Sequence, residues 1–192
     1  MTPGVITRKT FNWELDGGIS NTSSENIRRA SQLFTDWIGS IDHPIYKASL
    51  RIIWKPSSRL WRLIGFHHVE LATVYVDPRS ITPETALHEL AHILDNRLGA
   101  HPMASIFGGG PSDDMLRFIG AEPDQFFPRF SAIGYEQALV HAGCELSPTK
   151  YGRTKGPAED FAEAFRLAVL EPALLDKLAP KRYEWFRQWK TP

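Results

Sequence analysis

His88-Glu89-Leu90-Ala91-His92 constrains this chain more than any other stretch, because it is an instance of HExxH. On a helix, residues four apart lie about 40° apart around the axis and about 6 Å along it. Both imidazoles then face one side and can share a metal ion. Glu89, roughly 100° round from His88, stands beside that ion, where it can take a proton from a metal-bound water. Two ligands and a general base within little more than a turn is the arrangement of a zinc-peptidase helix.

The flanking residues support a helix at this place. Leu71 to Val76 is apolar and β-branched and reads as a strand, and Asp77-Pro78-Arg79-Ser80 as a turn. Thr82 suits an N-cap, Pro83 the first helical position, and Glu84 the positive end of the dipole. Leu87, Leu90, Ala91 and Leu94 provide a buried face. Gly99 suits a C-cap, with Arg97 in the last turn and Pro102 just beyond. Left without a partner, two histidines and a carboxylate on one buried turn are costly.

Two histidines do not complete a catalytic zinc site, which needs three protein ligands and an open position. Asp95 and Leu98 stand where HExxHxxGxxH would need glycine and histidine, and His101 lies past Gly99, off the helix. The better third ligand is downstream, in Gly156 to Arg166. There Phe161, Phe165, Ala168 and Val169 make a buried helical face, and Glu159 and Glu163 stack four apart on another. Like charges at that spacing repel by a few tenths of a kcal/mol, which makes sense if a metal and an imidazole divide them. Glu159 is then the ligand, and Glu163 accepts a hydrogen bond from a ligand histidine and fixes its tautomer. Asp160 points elsewhere.

Tyr151-Gly152-Arg153-Thr154, followed by Glu159 to Leu167, resembles the end of the catalytic domain of anthrax toxin lethal factor, and the related secreted Pro-Pro endopeptidases share the layout. With HELAH the resemblance spans residues 88 to 167. It implies an α+β, zincin-like metallopeptidase domain: a small mixed sheet, an HExxH helix and a downstream glutamate helix. It implies His88, His92 and Glu159 as Zn2+ ligands and Glu89 as general base and later proton donor. Tyr151 would donate to the oxyanion, and Glu163 would support the ligand shell. The stretch from Lys155 to Ala158 is slightly longer than in the toxin, which bears on the reach of Tyr151.

The rest of the chain reads as support. Residues 1–22 look irregular, with a turn at Asp16-Gly17-Gly18. Ser23 or Ser24 caps a helix running to about Gly39, its stripe Ile27, Ala30, Leu33, Phe34, Trp37 and Ile38 being core. Strands are expected at 48–54, 60–66 and 69–76, and His67 and His68 as a solvent-facing pair at the start of the third. A free edge of that sheet can pair with an extended peptide. Gly108-Gly109-Gly110 is a flexible loop or cleft lid. Asp113 and Asp114 after it are wrong for phosphate, and Ser112 caps a helix to Ile119. Tyr135 to His141 reads as a short helix, Tyr151 as a loop residue. Pro172 and Pro180 divide the C-terminal helices, and Tyr183, Trp185, Phe186 and Trp189 pack against the body.

At 192 residues, 42% hydrophobic and 23% charged, with zero formal net charge, the chain is one domain (1–192) with a sizeable core. No polybasic run supports nucleic-acid or membrane binding, so the expected partner is a protein or peptide substrate and the expected state a monomer. Cys144 is alone and forms no internal disulfide. No signal peptide is visible, which leaves cytoplasm, or secretion after a leader is removed. The leading expectation is thus a zinc metalloendopeptidase. An intracellular regulatory metallopeptidase acting on a repressor, and a non-catalytic metal- or protein-binding module of the same fold, are the alternatives.

Overall fold

The computed structural model describes residues 12–15, 17–39, 51–56, 68–70, 73–77, 79–99, 108–126 and 134–190. They form an α+β structure in which a four-stranded mixed sheet lies against a larger helical body. The strands are β1 (Asn12–Leu15), β2 (Arg51–Pro56), β3 (His68–Glu70) and β4 (Thr73–Val76), in spatial order β1-β2-β4-β3. β1 runs parallel to β2 and β2 parallel to β4, while β3 pairs antiparallel to β4 with Val69 opposite Val74.

Alternation decides which face is buried. Ile52, Trp54, Val74 and Val76 are fully buried, and the residues between them are only partly so, as period-two side chains on a half-covered sheet require. The inward row meets α1 (Asn21–Ile38), which presents Ile27, Ala30, Phe34 and Ile38 at helical spacing. α2 (Pro83–Leu98) and α6 (Pro157–Leu170) complete this core and pack closely on each other. A second apolar cluster, with Leu116, Ile119, Phe126, Tyr135 and Leu139, lies under α3 (Pro111–Ile119) and α4 (Tyr135–His141).

α5 (Lys150–Lys155), α7 (Pro172–Leu178) and α8 (Pro180–Trp189) follow one another around α6. Trp185 and Phe186 of α8 stack into Phe161 and Phe165 of α6 and Trp37 of α1, with ring centroids 4.9–6.4 Å apart. The aromatics of α8 thus pack on the body, as their spacing predicts. Among the described residues no helix is long and apolar enough to cross a membrane.

Several boundaries differ from the sequence reading. Residues 12–15 are a strand parallel to β2, the last on that side among the described residues, and not irregular chain; the polar-apolar alternation Asn-Trp-Glu-Leu is present but too short to stand out. The apolar run 69–76 is two strands, β3 and β4, because each half pairs with the other rather than extending one ribbon. α1 is capped by Ser20, whose Oγ accepts from Ser23 N at 3.2 Å, three residues earlier than expected. α3 is capped by Gly110 rather than Ser112: Pro111 takes the first helical position, and Ser112 N donates instead to Asp95 of α2 at 2.8 Å. Tyr151 lies on α5, not in a loop. The strand expected at 60–66, together with His67 and His101, falls outside the described residues, as does the side chain of His68.

Candidate metal centre

α2 begins where its sequence directs. Thr82 adopts extended backbone and its hydroxyl accepts from Thr85 N at 3.2 Å; Pro83 follows, and Glu84 lies in the first turn. The Thr82 hydroxyl, together with the helix backbone, holds the Glu84 carboxyl below its usual pKa. Leu87, Leu90, Ala91 and Leu94 are all fully buried. The helix is buried almost all round: Glu89 and His92 are each 6% exposed, and Asp95 is fully buried. HELAH is therefore held at a fixed depth between the sheet-side core and α6.

α6 begins at a sharp junction. Gly156 ends α5 and opens α6 at φ 112°, a conformation that suits glycine, and Pro157 starts the new helix. Gly152, one turn back, allows close approach: a Cβ there would stand 2.3 Å from Ser147 Oγ and 3.0 Å from Asp160 Cα. The short helix carrying Tyr151 thus lies directly on the first turn of the helix carrying Glu159.

Packing α2 against α6 brings the motif and the two glutamates together across 71 and 75 residues of sequence. His88 Nε2 lies 2.9 Å from Glu159 Oε2, and His88 Nδ1 lies 2.9 Å from Glu163 Oε1. His92 Nε2 lies 3.3 Å from His88 Nε2 and 3.6 Å from Glu159 Oε2. The imidazole of His88 therefore stands between the two carboxylates, as the i, i+4 spacing of Glu159 and Glu163 predicts. Among the described residues, His88, His92 and Glu159 make a group whose ligand atoms converge closely enough to hold a metal ion.

The site is electrostatically tight. Burial works to lower the pKa of His88, but its contacts with Glu159 and Glu163 prevail and raise it to about 10. Burial likewise opposes ionisation of the glutamates, yet His92 and His88 hold Glu159 well below the usual carboxylate range. His88 and Arg166 bring Glu163 down to about 2. Tyr151 is 47% exposed, and its ring centroid lies 6.0 Å from that of His88. Partial burial, the charges of Glu159, Glu89 and Glu163, and a hydrogen bond to Glu159 push its hydroxyl up to about 12. The Glu89 charge contributes to the upward shift at both His88 and Tyr151.

Asp160 points away, as expected, and into the core. It is fully buried, accepts from Tyr135 Oη at 2.5 Å and forms an ion pair with Arg182, Nη2 to Oδ2 at 2.6 Å. The sequence reading did not include Arg166, which donates to both oxygens of Glu163 at 3.3 and 3.0 Å, although its i+3 spacing from Glu163 on one helix was a signal for it. It did not include Arg182 either, and nothing local marks that residue. No protein-family model matches the chain, and no curated protein matches it.

Proposed function

We propose that the chain is a zinc-dependent metalloendopeptidase of zincin-like fold, with His88, His92 and Glu159 as ligands and Glu89 as general base. The observation that carries this is the spacing of the three ligand atoms. About a tetrahedral zinc with ligands at roughly 2.0–2.1 Å, neighbouring ligand atoms stand about 3.3–3.4 Å apart. The three separations here, 2.9, 3.3 and 3.6 Å, bracket that value. Two imidazoles and a carboxylate are a catalytic zinc donor set that leaves one position open. The resemblance of Tyr151-Gly152-Arg153-Thr154 and Glu159 to Leu167 to the lethal factor catalytic domain points the same way.

A zinc ion held there supplies a Lewis acid and brings the pKa of a bound water toward neutrality. The chain's own residues do the rest. Glu89, on the turn between the two histidines, takes the proton of the attacking water and returns it to the leaving amine. Tyr151, whose hydroxyl keeps its proton far above neutral pH, donates to the oxyanion that develops on the peptide carbonyl. Glu163, steadied by Arg166, accepts from His88 Nδ1 and so leaves Nε2 as the ligating nitrogen. Among the described residues β3 ends the sheet and packs beside α2, which supports substrate binding by strand addition at that edge.

The test is zinc per chain by elemental analysis, with peptide-library hydrolysis, on the parent, Glu159→Ala and Glu89→Ala. The reading expects about one zinc in the parent, a marked loss in Glu159→Ala, and full zinc with no turnover in Glu89→Ala. A Glu159→Ala protein that holds zinc as well as the parent removes Glu159 from the ligand set. Zinc without hydrolysis of any peptide leaves the non-catalytic module.

A further inference from the structure

Tyr151 and Glu159 sit on different short segments, and something must hold the two in register. α5 is only six residues long and the segment before it, Cys144 to Thr149, has no regular structure. An isolated helix of that length has little stability of its own, so its position depends on tertiary contacts. One fully buried side chain touches both segments. Arg182, from the first turn of α8, donates through Nη1 to the carbonyls of Glu145 and Leu146, at 2.9 and 3.1 Å, and to Glu145 Oε1 at 3.0 Å. Through Nε and Nη2 it donates to both carboxylate oxygens of Asp160, the residue after Glu159, at 3.0 and 2.6 Å. Glu145 also accepts from the backbone N–H groups of Lys181 and Arg182, tying the same segment to the start of α8.

We propose that Arg182 is a positioning residue: its one guanidinium spans the segment leading into Tyr151 and the first turn that presents Glu159, so that oxyanion donor and third ligand stand at a fixed separation. The inference rests on the metallopeptidase reading above. The chemistry suits the role. A guanidinium is a rigid planar fork with donors on two edges, whereas a lysine ammonium, a compact charge with three donors on one atom, cannot reproduce the five bonds that Arg182 makes to the two segments. The network reaches the site from behind. Asp160 turns inward to Arg182 and Tyr135 while Glu159, one residue earlier, turns to His88, and Gly152 brings α5 against the backbone of Asp160.

The experiment measures zinc affinity by chelator competition and kcat and KM on a cleaved peptide, for the parent, Arg182→Lys and Glu145→Gln. Ile52→Ala, a core variant in the sheet, serves as a control for general loss of stability. Arg182→Lys, which acts on Glu159 through its neighbour Asp160, is expected to weaken zinc binding by up to about 10-fold, the lower end of what loss of a ligand's own hydrogen-bond partner costs. Glu145→Gln alters the contacts of Arg182 with the segment before Tyr151 and leaves both of its bonds to Asp160 in place. It is expected to keep the parent's zinc affinity and KM, to lower kcat, and to add no further loss in a Tyr151→Phe background. Should Arg182→Lys not fold, the Glu145→Gln cycle decides alone. Parent-like zinc affinity and kcat in the folded variants overturn the inference, as does an equal zinc loss in Ile52→Ala at matched melting temperature. A parent that holds no zinc overturns the metallopeptidase reading and this inference with it. A parent that holds zinc while its variants behave like it overturns the positioning role alone.

Discussion

On the metallopeptidase reading, a zinc ion bound here must displace a proton, and the geometry points to the one on His88. His88 lies between Glu159 and Glu163, each nitrogen 2.9 Å from a carboxylate oxygen, and those contacts raise its pKa to about 10 against an ordinary 6.5. Ligation needs the neutral imidazole. At about pH 8 the solution lies about two units below that pKa, so removing the proton costs a few kcal/mol, and apparent zinc affinity falls by on the order of 100-fold below that of the neutral site. The affinity then rises about tenfold per pH unit up to the His88 pKa. The depressed pKa values of Glu159 and Glu163 describe the same contacts from the other side, so the energy is counted once. Calorimetric zinc titrations in buffers of different ionisation enthalpy count the protons released. Glu163→Gln removes one of the two carboxylates that raise His88, so the difference between parent and variant isolates the His88 proton from ionisation of a zinc-bound water. The parent is expected to release more protons than the variant, approaching one more at about pH 8 if the His88 pKa drops below that value. Equal release from both proteins, with the same slope of affinity against pH, refutes the argument. The sign for the metal-free fold follows from the same shift: the His88 contribution is fully present below about pH 6.5 and is lost as pH rises through about 10.

Two further outcomes rest on named contacts. Tyr151→Phe should lower kcat by about 100-fold, the typical cost of removing one oxyanion donor, and leave zinc content and KM near the parent's; an unchanged kcat removes the tyrosine from the chemistry. Phe186→Ala empties the centre of the aromatic cluster shared by α1, α6 and α8 and should cost about 3–5 kcal/mol, a fall in melting temperature of about 6–20 °C followed by calorimetry. A melting temperature within about 2 °C of the parent's shows that the cluster repacks around the loss.

Most of the helices were legible from the chain because their signals are local; α5, read as a loop at Tyr151, was not. Thr82, Pro83 and Glu84 start α2; Gly156 and Pro157 open α6; Pro172 and Pro180 start α7 and α8. The spacing of Glu159 and Glu163 was legible too, and His88 does stand between them. The sheet was legible only in part. β1 has four residues, and β3 and β4 share one apolar run, so periodicity over so short a stretch does not separate one strand from two.

By itself, then, the sequence determined the HELAH helix with its caps and the glutamate helix, and on each of them one pair of side chains, His88 with His92 and Glu159 with Glu163. These depend on residues within a turn or two of one another, where backbone geometry leaves few choices. Tertiary structure alone decided that Asp160 belongs to Arg182 and Tyr135, that Arg182 also grips Glu145 and Leu146, and that Gly152 lets the Tyr151 helix lie on the first turn of α6. The hydrogen bonds among those contacts join residues 22 to 37 positions apart through the packing of whole helices. A buried ion pair of that kind has no local period, cap or turn to announce it.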